Sequence, residues 1–456
     1  MIQAALKVLL GLLAVVLTAE ARAEDWTQFR GTKVDGISSS VCPTSWTESE
    51  NVRWKVAIAG EGWSQPITWA DKVFVTVAVP AESTDATDSK PEEYQGGGGR
   101  RRDDLVSTVY RYEVICLDAK LGTEIWRSVA RESRPPIPRH STNTYATETP
   151  ITDGERVYAY FGMAGVYCFS LEGELLWKKD LGVYEMRAGW GTSSSPVLFD
   201  GKLFLQVDNE QQSFAIALDA KSGDEIWRVD RDEKSQYSSP MIWQNSKRNE
   251  LILGGMVYRS YDPDTGALLW QLDMAKGRSS ATPVAKGDRL YVGTELRTRG
   301  DEDDGGGYLF AVKPGGKGDI SLAEDVTSSE FIEWRIDRSD IQMASPVICD
   351  NQLYLLERQS GNVHCIDLTS GETVYRKRIP RATAFWASPW VSGNRIFCPD
   401  SSGTTIVLAS GPEFKVLSTN EIDEQTWASA AVANGAVYFR TVDHLYCIGS
   451  DKDEAQ

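Results

Sequence analysis

Six aromatic residues, Trp63, Tyr145, Trp190, Tyr237, Trp386 and Trp427, recur at matching points along the chain, with Arg278 and Met343 at two more such points. Polar and charged groups recur further on, at Asp208, Asn209, Glu210, Glu295, Glu357, Arg358, Asp400 and Arg440. His140, Asn143 and Glu148 flank Tyr145. Flat rings beside acids and guanidinium groups suit a planar or sugar-like ligand, or an extended peptide. The same residues also admit a purely structural reading, in which the rings fill an interior and the charges pair with each other.

Bond-making chemistry has little support. The chain contains no G-x-S-x-G and no H-E-x-x-H, so neither a nucleophile elbow nor a zinc helix is encoded. Its three histidines are His140, His364 and His444, and only His140 stands where a base would be useful. Seven cysteines include no C-x-x-C, no C-x-x-C-H and no adjacent pair, which excludes a thiol-redox motif and an attached c-type haem. The acidic run Asp301-Glu302-Asp303-Asp304 lacks the spacing and terminal Glu of a calcium loop and reads as a solvated loop. Gly96 to Gly99 lack the strand-to-helix setting of a phosphate loop and read as part of a low-complexity insert, 81–104.

The elements that must position these residues are repeated. A small-residue-Pro-apolar step occurs at Gln65-Pro66-Ile67, Thr149-Pro150-Ile151, Ser195-Pro196-Val197, Ser239-Pro240-Met241, Thr282-Pro283-Val284, Ser345-Pro346-Val347 and Ser388-Pro389-Trp390. A degenerate eighth copy reads Ala430-Ala431-Val432, and successive spacings are 84, 46, 44, 43, 63, 43 and 42. The two long spacings contain inserts, 81–104 and 297–307. After each step come an apolar run, a Gly/Asp/Asn turn and an alternating strand, which is hairpin grammar. A third strand ends in Leu-Asp or a variant, a Gly turn follows, and a fourth strand carries Trp, as in Ala217-Leu218-Asp219 through Gly223 to Trp227.

Four short strands every ~43 residues predict an all-β chain, a single eight-bladed β-propeller of four-stranded antiparallel blades. Seven blades is the alternative, because Gly411 to Leu417 is degenerate. The last unit stops after Leu445-Tyr446-Cys447-Ile448, and Asn51 to Val56 has the pattern of its missing fourth strand. The N-terminal strand is therefore expected to close the ring and remove its free edges. In a propeller, the aromatic points fall at the mouth of the central channel. Cys116, Cys168, Cys365 and Cys447 take equivalent third-strand positions in different blades, too far apart for a disulfide.

The recurring A-x-D-x-x-x-G-x-x-x-W pattern resembles the tryptophan-docking motif of pyrroloquinoline-quinone (PQQ)-type propellers, over nearly all of residues 50–450. Two groups share that architecture: the quinoprotein alcohol dehydrogenases and BamB, a non-enzymatic propeller of outer-membrane protein assembly. Asp25-Trp26-Thr27-Gln28-Phe29-Arg30-Gly31 resembles the opening of secreted bacterial PQQ-like repeat proteins. The resemblance implies that Trp126, Trp177, Trp227, Trp270 and Trp334 are structural and dock on neighbouring blades. It also implies a BamB-like, non-enzymatic scaffold that engages a protein or peptide through the funnel face or the blade edges. One alternative is a PQQ- and calcium-dependent oxidoreductase, with Asp208, Glu295 or Asp400 holding calcium and Trp190 or Trp386 on the ring. The vicinal cysteine pair those enzymes set against the quinone is missing here, so no cofactor and no metal are expected. A carbohydrate-binding propeller is a second alternative.

The formal charge of −17 argues against a nucleic-acid partner, which requires a basic face. Residues 1–23 carry Lys7, an apolar run from Val8 to Leu17 and Ala21-Arg22-Ala23. This reads as an export signal cleaved after Ala23, too short in its apolar part to span a bilayer. The expectation is a periplasmic or secreted monomer: an N-terminal arm at 24–49, a propeller at 50–450 and a short tail at 451–456.

Overall fold

The computed structural model describes residues 24–81, 108–274, 280–299 and 302–449. The export signal, most of the first insert and the C-terminal tail lie outside the described residues. Eight antiparallel four-stranded sheets follow one another around a ring. Their inner strands are Ile67–Trp69, Ile151–Thr152, Val197–Phe199, Met241–Gln244, Val284–Lys286, Val347–Cys349, Trp390–Ser392 and Ala431–Ala433. All but the last begin directly after the Pro step, because Pro cannot donate to a ladder and so sits at a strand start. The ring closes as expected: Val52–Ala57 is the outer strand of the eighth blade, with Lys55 opposite Tyr446 and Val56 opposite Leu445.

The sequence motif has a local cause. In blades 1, 3, 4 and 6 the motif Asp, namely Asp118, Asp219, Asp262 and Asp367, caps its own turn. Asp219 Oδ1, for example, accepts the backbone N–H groups of Lys221 and Ser222 at 3.0 and 2.8 Å. The turn then needs a residue at positive φ, supplied by Gly223 at φ 77°. A tryptophan of the preceding blade lies on that glycine. A Cβ on Gly223 would stand 2.7 Å from the Trp177 ring, and the Trp177 Nε1–H donates to Ala220 O at 3.1 Å. Trp54, Trp126, Trp227 and Trp334 dock likewise, on the carbonyls of Ala119, Leu171, Pro263 and Leu368. Trp270 differs, donating to the Glu250 carboxylate at 2.6 Å.

Opposite each docking residue, the third strand carries a small side chain. Cys116 pairs with Trp126, Cys168 with Trp177, Ala217 with Trp227 and Cys447 with Trp54. All seven cysteines are free and buried. The apolar core is divided into six clusters wedged between adjacent sheets. Helix is confined to two three-residue 3-10 turns among the described residues.

The second insert departs from expectation. Residues Leu296–Arg299 and Glu302–Gly306 form a two-stranded antiparallel hairpin, with Arg299 opposite Glu302 and Thr298 opposite Asp303. Glu302, Asp303 and Asp304 thus belong to a strand rather than to a loop, while Asp301 lies outside the described residues. The strands are only two residues apart in sequence, a separation that favours backbone pairing between them. Two other edges are covered by short parallel additions: Gly318–Asp319 lies along the outer strand of blade 4, and Ile37–Ser38 along the inner strand of blade 7.

Candidate functional site

The residue preceding each Pro builds a collar around the central channel. Its backbone N–H donates to the side-chain hydroxyl of the same position in the next blade. The bonds run Gln65 to Thr149 (3.1 Å), Thr149 to Ser195 (3.0 Å), Ser195 to Ser239 (2.9 Å) and Ser239 to Thr282 (3.2 Å). They continue from Thr282 to Ser345 (3.0 Å), Ser345 to Ser388 (3.0 Å) and Ser388 to Ser429 (2.9 Å). The eighth copy is thus in register as Ser429-Ala430-Ala431, one residue earlier than Ala430-Ala431-Val432. Its inner strand begins at Ala431, and from the second copy onward the hydroxyl, rather than the proline, is what every step supplies. Gln65 closes the circle, its Nε2 donating to Ala430 O.

Below the collar, the N-terminal arm crosses the channel. The Gln65 Oε1 accepts the Arg30 backbone N–H at 2.7 Å, and the buried Arg30 guanidinium donates to the carbonyls of Asp35 and Pro346. The Trp26 N–H donates to Thr68 Oγ1 and its carbonyl accepts the Thr68 N–H, both at 2.9 Å. Thr27 O accepts from Thr152, Gln28 Oε1 from Leu198 and Gly36 O from Val391. One segment therefore ties blades 1, 2, 3, 6 and 7 together, and its Phe29 forms the floor of the cavity above.

That cavity has a volume of about 450 Å³. Of the residues singled out from the sequence, Trp63, His140, Asn143, Trp190, Tyr237, Glu295, Arg358, Trp386 and Trp427 line it, together with Met343. Trp63, Trp427 and Trp386 form one wall, with centroids 4.9 and 5.5 Å apart. Arg358 lies over the Trp386 ring at 4.6 Å and donates through Nε to Gln342 at 3.0 Å. Trp63 is held by its Nε1–H bond to Thr142 O, and Trp190 and Tyr237 pair at 6.2 Å on another part of the wall. His140 Nδ1 bonds Thr142 Oγ1 at 2.8 Å. Asn143 staples the loop by donating to the carbonyls of Trp190 and Thr192.

The other expected residues are placed elsewhere. Tyr145 turns edge-on to Tyr110 beneath Arg139, outside the cavity lining. Asp208 binds Arg231 in a fully buried bidentate pair at 2.8 and 3.2 Å and also accepts from Gln206. Asn209 caps its own turn, and Glu210 accepts from Ser235. Glu357 is taken up by Arg376, Ser360 and Asn362. Asp400 accepts the Thr383 hydroxyl and three backbone N–H groups. Arg440 donates to Ser64 and Thr76 O between blades 8 and 1, and burial pulls its pKa down to about 9. Glu148 is buried behind the collar. Burial raises its pKa to about 7, against a hydrogen bond from Thr192. Arg278 lies outside the described residues.

The expected gathering of acids on one face is therefore corrected. At the strand exits these side chains turn away from the cavity, where a buried charge needs a partner: Asp208 and Glu357 find theirs within their own blades, and Arg440 reaches blade 1. Among the described residues no cluster of His, Cys, Asp or Glu could hold a metal ion. The donor set does not fit calcium beneath a quinone: of Asp208, Glu295 and Asp400, only Glu295 reaches the cavity. The collar hydroxyls and Phe29 were missed as site residues, although the Ser/Thr-Pro step that carries the hydroxyls is visible in the sequence.

A family described as outer membrane protein assembly factor BamB matches residues 111–254 and 253–317. The chain is 21% identical over 297 residues to the outer membrane protein assembly factor BamB of Yersinia pestis, covering 53% of this chain and 71% of that protein. It is 22% identical over 347 residues to quinohemoprotein alcohol dehydrogenase ADH IIB of Pseudomonas putida, covering 68% of this chain and only 48% of that protein. The crystal structure of the quinohemoprotein alcohol dehydrogenase from Comamonas testosteroni superposes with a TM-score of 0.61 at 10% identity, covering 94% of this chain and 81% of that one. The chain is thus similar to PQQ-type repeat propellers of both kinds. No described helix is long and apolar enough to cross a membrane.

Proposed function

We propose that this chain is an exported, non-enzymatic recognition propeller, BamB-like in architecture, which holds its partner through the funnel. The observation that carries this reading is the cavity itself. It is aromatic-walled, with Phe29 in its lining, and its size is that of a small-molecule site. Among the described residues its lining contains one carboxylate, Glu295, and no second acid with which to divide general acid and general base roles. Export to the periplasm or beyond rests on residues 1–23.

The similarity to quinohemoprotein dehydrogenases favours a redox reading, but the donors weigh against it. Asp208 and Asp400 are consumed by internal bonds, and no adjacent cysteine pair exists in the chain. The test is a thermal-shift titration of residues 24–456 with pyrroloquinoline quinone, with and without calcium. No saturable shift is expected. A calcium-dependent, saturable rise in melting temperature, which binding to the folded state must produce, would overturn the non-enzymatic reading.

A further inference from the structure

The cavity combines three features that together restrict what enters it. Its walls are indole rings held by their neighbours: Trp63 by the Thr142 carbonyl, and Trp386 between Trp427 and Arg358, which cover its faces. Its base is a collar of hydroxyls that already accept backbone N–H bonds from the neighbouring blade, as Ser195 does from Thr149 and Ser388 from Ser345. Each such oxygen keeps its own O–H to donate and a lone pair to accept. Finally, Phe29 lines the cavity and the Arg30 N–H bonds Gln65 of the collar, so the N-terminal arm lies at the cavity's base.

From these features we propose that the funnel binds the terminal pyranose of a neutral glycan. The inference rests on the recognition reading above and names the ligand class for the same site. A pyranose with equatorial hydroxyls presents C–H groups on its flat faces and O–H groups around its edge. The C–H groups match the apolar surface of the indole wall, and the O–H edge matches the hydroxyl collar. A cavity of about 450 Å³ with the N-terminal arm at its base takes a chain end rather than a chain interior. Among the described residues the charged side chains at the cavity, Glu295 and Arg358, are of opposite sign and balance each other. A peptide side chain would use the aromatic walls but leave the ring of donors and acceptors unmatched, and unmatched buried polar groups are costly.

The test follows tryptophan fluorescence and titration heat while residues 24–456 are titrated with cellotriose, triacetylchitotriose and maltotriose. At least one is expected to bind with one-to-one stoichiometry. The hexasaccharide of the same series should bind no more tightly than its trisaccharide, since only an end enters. Trp427→Ala and, from a separate part of the wall, Trp190→Ala should each weaken binding tenfold or more, equivalent to about 1.4 kcal/mol. Two variants are used so that misfolding of one does not decide the matter. Trp227→Phe, outside the funnel, should bind like the parent. No response to any of the three sugars well above millimolar would overturn the proposal, as would binding that the funnel variants leave intact. A response to tripeptides Gly-Lys-Gly or Gly-Trp-Gly without one to sugars would overturn the glycan and leave the recognition role standing. Silence towards both would remove both.

Discussion

Replacing Glu148 by glutamine should change how stability responds to pH. Glu148 follows Thr147 and precedes Thr149, both at the cavity, but its own carboxyl is buried, with the Thr192 hydroxyl as its side-chain donor. Burial raises its pKa from the ordinary 4.5 to about 7. Between these values the folded protein holds a proton that the unfolded chain has released. Stability therefore falls as pH rises through that window. Full ionisation above pH 7 costs about 3 kcal/mol, from 1.36 kcal/mol per pKa unit. The glutamine side chain has nearly the same shape and no charge, so the Glu148→Gln variant escapes that cost. The two proteins should be equally stable near pH 4 and diverge to about 3 kcal/mol in favour of the variant at pH 8. With an unfolding entropy of about 2.1 cal/mol/K per residue, the difference corresponds to a rise of ~3–4 °C in melting temperature. Urea or thermal unfolding from pH 4 to 8, recorded by tryptophan fluorescence, reads it directly. Parallel pH profiles for parent and variant would refute the reasoning. So would a variant that is less stable at pH 8, since the carboxylate would then be satisfied when charged.

Trp227→Phe keeps most of the docked ring but removes the bond to Pro263 O, and should cost about 1 kcal/mol; Trp227→Ala should cost about 3–5 kcal/mol, both read by urea midpoints. Gln65→Ala breaks the collar and strands the Ala430 carbonyl and the Arg30 N–H, so a loss of about 2–4 kcal/mol is expected by the same measurement. Arg231→Met leaves Asp208 charged and buried, costing about 3–5 kcal/mol, whereas Arg231→Met with Asp208→Leu should recover much of that loss. All seven thiols are buried, and burial pushes Cys116 and Cys447 up to about 12, so a thiol reagent should label none in the native protein and all seven after unfolding.

The ring was legible in the chain because its determinants are local and repeated. The turn from Asp219 to Gly223 encodes its own cap and its own positive-φ residue, and Trp227 follows at fixed spacing, so one reading serves blade after blade. Ring closure by Val52–Ala57 was legible as well, because an incomplete last unit must borrow a strand. The aromatic mouth at Trp63, Trp190, Tyr237, Trp386 and Trp427 followed from strand position alone. What sequence could not decide was where each side chain at a strand exit would turn. Asp208, Glu357, Asp400 and Arg440 occupy positions as promising as those of Glu295 and Arg358. A buried charge goes where a partner lies, however, and Arg231, Arg376 and Thr383 are brought to the three acids only by the packing of neighbouring strands. The floor of the cavity is of the same kind. Phe29 and Arg30 belong to an arm with no repeat pattern, and they reach the channel axis because the closed ring presents Gln65 and the Pro346 carbonyl to them. Local turn chemistry and periodicity determined the propeller; long-range pairing, which has no signature in either partner alone, decided which residues face the cavity.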